Sequence, residues 1–414
     1  MNNAHDRTKN GSSGGALAGI VVIELGMVMQ VPLAGQMLGD FGADVIKVER
    51  PGSGDILRTL DPIANQANTM SSYYAALCRN KRTICIDIKQ PEGKDVLLCL
   101  LDKADVLIHN FRPGVMERLG LDYAELEKRN PRLIYAGGFA FGENGPMSKY
   151  PGQDMLSQAF SGFAMSGRDP SAPPQLSNPP LMDYAAAVSL TQGIMAALIE
   201  RQRSGRGQAV STSLFSVALG IQTLELASRT MHGKDTSWVR HAMIYRSNDG
   251  WVLVLTLFRE NPLRLLCDAF GLEDLSDDPK YRGVEAQIVN RDAIHDILAP
   301  HFARHTTAEI LERLGAVDIL CSPVNDLSSV IDHPQTEANE AVWMIDVPNR
   351  GKVKVAGNAV RLSRTPATYR DHPAWMGAHN AEVLQAFGFS ETEIAALQTK
   401  GILTEDARLR GATS

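Results

Sequence analysis

The chain lacks any excess of positive charge. Over 414 residues, 41 Lys and Arg stand against 47 Asp and Glu, a net charge of −6. No global basic field draws it to nucleic acid or to an anionic membrane, so an anionic ligand must be held by a local group of cations. Cysteine is scarce: Cys78, Cys85, Cys99, Cys267 and Cys321 form no CxxC pair and show no metal-ligand spacing. That leaves no disulfide framework, and a reducing cytoplasm is the natural compartment. Cys85 and Cys99 sit in apolar runs and are expected to be small buried core residues. No apolar run reaches the length of a membrane span. The stretch from Met1 to Ala16 is polar and Gly/Ser-rich with no apolar core, so it reads as a flexible tail and not a signal peptide. Two catalytic signatures are also missing. After the first strand, Leu25-Gly26-Met27-Val28-Met29 stands where a dinucleotide site would carry GxGxxG. There is no GxSxG elbow and no Cys/His arrangement, which leaves carboxylates as the available nucleophiles.

What is present is an ordinary globular balance, 44% hydrophobic and 21% charged, enough for a sizeable core. Ile20-Val21-Val22-Ile23 predicts a buried strand. A helix opening at Pro32 follows, with Leu33, Met37, Leu38 and Phe41 on one face and Gly42 as its stop. Asp44 to Glu49 is a second strand, and strand, helix and strand make a right-handed parallel βαβ unit. The pattern repeats with strands at Thr83–Ile88, Asp105–His109 and Arg132–Gly137 and a helix at Pro91–Leu101, where Glu92 suits the positive end of the dipole. The N-terminal half is therefore expected to be a doubly wound α/β sheet of Rossmann type. A long helix rich in Ala and Gly runs from Asp183 to about Arg203, and its small residues permit close approach of another backbone. A strand at Val252–Leu257, helices near Pro262–Phe270 and Thr307–Leu314, and a turn at Cys321-Ser322-Pro323-Val324 make up a middle segment. The tail from Pro373 to Leu403 reads as a Gly-linked helical pair.

Asp183 follows Pro179-Pro180-Leu181-Met182 at the start of the long helix. Taken alone it reads as an N-cap, its side chain satisfying orphan backbone donors. The same place suits catalysis, because a helix N-terminus favours an ionised carboxylate and offers N–H groups to an oxyanion. Arg50 lies at the carboxyl end of the second strand, the usual ligand edge of an open α/β sheet, and Lys89 and Arg118 lie just beyond two other elements.

Several ordered segments carry a resemblance. They are Leu17-Ala18-Gly19-Ile20-Val21-Val22-Ile23-Glu24-Leu25, Gly42 to Glu49, Gly52-Ser53-Gly54-Asp55 with Arg58, Asn80-Lys81-Arg82-Thr83 with Asp87 and Lys89, Asn110-Phe111-Arg112-Pro113-Gly114 with Gly120, Ser204-Gly205-Arg206-Gly207-Gln208, and Gly377-Ala378-His379 with Val383-Leu384 and Phe387-Gly388. Together they resemble the family III CoA-transferases of CaiB/BaiF type, the group of formyl-CoA transferase, carnitine CoA-transferase and α-methylacyl-CoA racemase. The resemblance implies an enzyme that moves CoA from an acyl-CoA to a free carboxylic acid, with no permanently bound cofactor and no metal. It places the family's essential aspartate at Asp183, passing through aspartyl anhydride and aspartyl-CoA thioester intermediates. It sets Arg50, Lys89 and Arg118, with Met29, Gln30, Ile86, Asn110, Phe111 and Arg112, against CoA, and leaves Arg58 less certain. It also implies a ring-shaped subunit in an interlocked homodimer. The expected organisation is a tail over 1–16, a large Rossmann-like domain over 17–220, a small α/β domain over 221–334, and a return segment over 335–414 that completes the large domain.

Two related readings share that fold. An inactive CoA-binding homologue would have no need of Asp183. A 2-methylacyl-CoA racemase would pair the aspartate with a histidine from a Gly-His-Asp motif. Here that motif is Gly152-Gln153-Asp154, and glutamine exchanges no proton near neutral pH. Asp154 then reads as a capping or hydrogen-bonding residue. The run of glycines in the middle segment of formyl-CoA transferase has no counterpart around Trp238-Val239-Arg240-His241-Ala242-Met243, so formyl/oxalate specificity does not follow. Arg240 and His241 are candidates for contact with an acceptor carboxylate.

Overall fold

The computed structural model describes residues 14–167, 171–234 and 238–410. Most of the expected N-terminal tail, residues 1–13, lies outside them. The chain divides into two compact units, one of residues 1–164, 174–221 and 340–414 and one of residues 165–173 and 222–339.

The first unit is built on a parallel sheet of β1 (Val21–Leu25), β2 (Asp44–Glu49), β3 (Lys81–Cys85), β4 (Val106–His109), β5 (Ile134–Phe139) and β6 (Ala209–Ser213), in the order β3-β2-β1-β4-β5-β6. Its helices are α1 (Gln30–Asp40), α2 (Pro62–Ala67), α3 (Ser72–Leu77), α4 (Pro91–Leu101), α5 (Val115–Leu119), α6 (Tyr123–Arg129), α7 (Asp154–Phe160), α8 (Leu181–Ser204) and α9 (Leu214–Ile221). Strands covered on both faces are apolar at most positions, which is why β1 and β4 are near-continuous runs broken only by Glu24 and His109, while Lys47 and Glu49 of β2 are buried in ion pairs. One face carries Ile23, Ile46, Ile84 and Leu107 against Val96, Leu97 and Leu100 of α4 and against Val383 and Leu384. The other carries Val22, Val45, Ile108 and Ala136 against α1 and against Ala187, Leu190, Ile194 and Ala197 of α8. The doubly wound α/β expectation is met.

The edge of β3 is closed by the end of the chain. Thr83 N donates to His379 Nδ1 at 3.0 Å, and Cys85 N donates to Asn380 Oδ1 at 2.9 Å. Asp87 N reaches Ile402 O at 2.9 Å and Thr404 N reaches Cys85 O at 3.2 Å. An edge strand presents unpaired backbone groups, and these bonds satisfy them. The strand stops at Cys85 instead of Ile88, because Ile86 to Ile88 turn to meet this segment through an Ile86–Leu403 bridge.

In the second unit, β7 (Ala242–Arg246), β8 (Trp251–Leu255) and β9 (Leu320–Pro323) form an antiparallel sheet. Its core centres on Tyr245 and Phe302, whose rings stack at 3.9 Å. The expected turn at Cys321-Ser322-Pro323 is this strand, paired with β8 from Leu320↔Leu255 to Pro323↔Val252. An edge position tolerates its proline, which is why the sequence disguised it. A hairpin of β10 (Val342–Val347) and β11 (Gly351–Ala356) belongs to the first unit.

Two other expectations need correction. Cys85 is buried but Cys99 is exposed, on the outer side of α4, since helical spacing turns it away from Leu97 and Leu100. Length and composition alone would let α8 cross a membrane, contrary to the reading of the sequence. Its inner face instead packs against the sheet, and Arg201 in its last turn pairs with Asp105 at 2.8 Å.

Gly207 lies where a Cβ would meet Leu133 O at 2.0 Å, and its N–H donates to Pro131 O at 2.8 Å. Backbone cannot yield there as a flexible side chain would. Gly207→Ala is therefore expected to destabilise the fold by about 1–3 kcal/mol, the usual range for overpacking. Thermal unfolding of the variant, followed by circular dichroism, checks this.

Candidate active site

In the strand order β3-β2-β1-β4-β5-β6, the connections leave β1 in opposite directions, so a crevice opens at the carboxyl ends of β1 and β4. Residues 26–29 follow β1, and Asn110 and Phe111 follow β4. Asn110 spans the gap: its Oδ1 accepts from Met27 N at 3.1 Å and its Nδ2 donates to Met27 O at 2.7 Å. This amide braces the loop after β1. Val28 holds a left-handed backbone with φ of 65°. Met29 then begins α1 with no side-chain cap, leaving the first-turn donors of that helix without a side-chain acceptor. Gln30 is buried against the bare Cα of Gly138, where a Cβ would come within 2.5 Å of its Oε1. Its Nε2 is buried without a partner.

The cations sort into two classes. Arg58 grips Glu49 at 2.6 Å and stacks on Tyr74, so its charge is spent inside the fold. Lys47, Arg79 and Lys81 are likewise buried in ion pairs. Arg50 after β2, Lys89 after β3, and Arg112 and Arg118 after β4 are all exposed, and none joins an ion pair among the described residues. Adjacent strands lie about 4.8 Å apart, so the ends of β3 and β4 span roughly 15 Å along one edge. Four exposed cations thus stand along one edge of an acidic chain.

Ile86 does not share this placement. It is 1% exposed within the core, its N–H donates to Glu49 O at 3.0 Å and its carbonyl accepts from Ile88 N at 3.1 Å. Its side chain and backbone are all engaged in closing the sheet. Phe111 is half-buried and stacks on His109 with centroids 6.2 Å apart. His109 was not singled out in the sequence, although a histidine ending an apolar strand was a visible signal. It is buried among Phe111, Tyr135 and Phe139, and neither ring nitrogen has a partner. Burial pushes its pKa down to about 4, so the ring is neutral.

Asp183 lies in the first turn of α8 but does not cap it; Pro180 holds the cap position. Arg201 pins the far end of α8 to Asp105 at the start of β4, so the first turn of the helix points toward the carboxyl edge of the sheet. Asp183 N donates to Asp154 Oδ2 at 2.9 Å. Asp154 is 3% exposed, and its other oxygen accepts from Gln158, whose Oε1 accepts from Ser177 N at 2.8 Å. The amide of Asp183 is thus already used and cannot serve an oxyanion. Its carboxylate is half-buried and, among the described residues, accepts no hydrogen bond and joins no ion pair.

The acid strength also departs from expectation. Burial, with the negative charge of Asp154 added, pushes the Asp183 carboxyl up to about 7. These two effects outweigh the helix N-terminus, which the sequence suggested would hold it ionised. Gln153 caps α7, its Oε1 accepting from Met155 N and from Leu156 N at 3.2 Å. The position that could have carried a second base is occupied by a helix cap. In the second unit, Arg240 reaches Glu285 at 3.5 Å and the half-buried His241 has an unpartnered Nδ1.

The folded protein binds the Asp183 proton more tightly than the unfolded chain, whose carboxyl keeps the ordinary 3.8. Its ionisation therefore destabilises the fold. The penalty is absent below about pH 4, grows as pH rises, and levels off above about 7. Asp183→Asn should raise the thermal midpoint at pH 8, with the gain shrinking toward zero at pH 4. Calorimetry across that range tests the sign.

Comparison with known proteins bears on the family of this chain. The sequence profile of CoA-transferase family III matches residues 17–380. An acyl-CoA transferase of Fusarium pseudograminearum is 34% identical over 95% of this chain and 89% of its own length. A succinyl-CoA:glutarate CoA-transferase of Mus musculus is 31% identical over 94% of this chain and 90% of its own. The crystal structure of a CAIB/BAIF family protein from Brucella suis superposes with a TM-score of 0.81 at 26% identity, covering 90% of this chain and all of the other. A profile match over most of the chain, two relatives above 30% identity and a shared fold leave one assignment: this chain belongs to CoA-transferase family III.

Proposed function

We propose that the protein transfers CoA from an acyl-CoA donor to a small free carboxylic acid, with Asp183 carrying the acyl group and then CoA. The observation that carries this reading is the Asp183 carboxylate itself: half-buried, without a partner among the described residues, and shifted up to about 7. A carboxylate of raised basicity and no competing hydrogen bond is a better nucleophile than an ordinary surface aspartate.

The steps follow. The carboxylate attacks the thioester carbonyl, and the C–S bond breaks to give an aspartyl mixed anhydride and CoA thiolate. The thiolate attacks the aspartyl carbonyl of that anhydride, forming an aspartyl-CoA thioester and releasing the donor acid. The acceptor carboxylate attacks the new thioester and expels thiolate again, giving a second anhydride. Thiolate then attacks the acceptor's carbonyl and frees the aspartate. No proton needs to be stored between steps, in keeping with Gln153 where a second base would stand. Gln30 Nε2, buried and without a partner, is available as a donor to a carbonyl oxygen. Arg50, Lys89, Arg112 and Arg118 are the cations on hand for the CoA phosphates, with Met29 and Phe111 as apolar contacts and Asn110 bracing the loop between them.

The mouse relative is named for succinyl-CoA and glutarate. That supports a small dicarboxylate as acceptor here. An open apolar groove of about 1260 Å³, lined along α1 and α8 by residues including Leu33, Met37, Tyr184, Val188 and Ile199, supports a homodimer in which a second copy covers it.

Asp183→Ala should lower the transfer rate by on the order of 10⁴ or more while CoA still binds. Succinyl-, acetyl- and formyl-CoA, each offered with a panel of acids and read by mass spectrometry, identify the pair. Wild-type enzyme quenched with donor should carry a CoA adduct at Asp183. Transfer that survives the substitution overturns the covalent scheme, and rapid α-proton exchange of a 2-methylacyl-CoA in deuterated water would instead make it a racemase.

A further inference from the structure

The Gly52-Ser53-Gly54-Asp55 motif has no part in the reaction above. Its aspartate is nevertheless among the most engaged side chains of the first unit. Asp55 is 1% exposed. Its Oδ1 accepts from Val28 N at 3.1 Å and from Leu57 N at 3.0 Å, and its Oδ2 lies 2.9 Å from Lys47 Nζ. Lys47 is itself fully buried and donates to Glu24 Oε1 and to Gly26 O, both at 2.7 Å. The Asp55 backbone is held in turn, its N–H donating to Glu49 Oε2 at 2.9 Å.

All these bonds converge on one loop. Gly26 is tied through its carbonyl to Lys47, Met27 through both backbone groups to Asn110, and Val28 through its amide to Asp55. The result is a β-branched residue at φ of 65°, a conformation such residues adopt only where the surroundings impose it. The next residues are Met29 and Gln30, at the uncapped start of α1. Burial alone would push the Lys47 ammonium toward neutrality; Glu24 and Asp55 hold it well above its ordinary range instead. A buried ion cluster is a poor way to gain stability, since apolar packing of equal volume often does better. It is an effective way to fix a strained backbone.

We propose that Asp55 is a positioning residue: its charge, acting through Lys47 and the Val28 amide, clamps the loop after β1 in the shape that presents Met29, Gln30 and the open end of α1 to acyl-CoA. The proposal rests on the reading that this loop faces acyl-CoA. Without the clamp, Val28 relaxes toward negative φ and the competent loop becomes a minor conformer, so apparent affinity falls by its fractional population.

Asp55→Asn keeps the size of the side chain and an acceptor for both amides but removes the charge facing Lys47. Titration calorimetry with CoA itself should show binding weakened by about tenfold or more. Adding Val28→Gly should recover a substantial part of that loss, because glycine takes the left-handed conformation without strain. Asp40→Asn is the control. Asp40 is an equally buried acid, paired with Arg79 at 2.7 Å at the other end of α1, and its loss should lower the thermal midpoint with CoA affinity unchanged. Asp55→Asn binding CoA within about twofold of wild type, or gaining nothing from Val28→Gly, overturns the proposal. If Asp55→Asn does not fold, Val28→Gly alone decides: affinity equal to or tighter than wild type supports the clamp, and weaker affinity overturns it. Wild-type protein that does not bind CoA at all overturns the functional reading instead, and the clamp with it.

Discussion

The amide of Asp183 donates to Asp154, and two carboxylates thereby come to share the start of α8. Much of the site depends on that arrangement. Asp154 fixes the backbone from which the Asp183 side chain springs and so ties α7 to α8, while its partner Gln158 holds Ser177 in the segment before α8. Its charge adds to burial in making Asp183 a weaker acid. A neutral acceptor in place of Asp154 could serve the first purpose but not the second. The other end of α8 is held by Arg201 on Asp105, so the helix is fixed at both ends relative to the sheet.

Charge is managed differently on the two sides of the crevice. Beneath the loop after β1, Lys47, Lys81, Glu24 and Asp55 are sealed from water and ion-paired with one another. At the sheet margin, Arg50, Lys89, Arg112 and Arg118 stand in solvent without acidic partners among the described residues. The inner group is strong and immobile; the outer group is screened but available.

Much of this was legible from the sequence. The parallel sheet announced itself because strands buried on both faces read as near-continuous apolar runs, as Val21 to Leu25 and Val106 to His109 do apart from Glu24 and His109. The helix of Pro91–Leu101 was readable from its proline start and apolar spacing. What escaped were properties set by partners distant in sequence. Whether Arg50 is free and Arg58 spent depends on where Glu49 and Tyr74 lie, and both arginines look alike in the chain. Ile86 reads as one more strand residue until Leu403 arrives to end the strand. The weakened acidity of Asp183 arises first from burial and then from a carboxylate 29 positions upstream, neither of which local helix rules include. Strand β9 was hidden by a proline that only an edge position accommodates.

The closure of β3 by residues near His379, Asn380, Ile402 and Thr404 also sets an order of events during synthesis. Strands β1 to β3 emerge early from the ribosome, yet the groups that satisfy the β3 edge and cover Ile84 belong to the last part of the chain. Until residues 379–404 are made, the nascent sheet has one open edge and a partly bare apolar face. A chain halted before that point leaves a strand ready to pair with any other exposed edge, the condition under which incomplete folds aggregate.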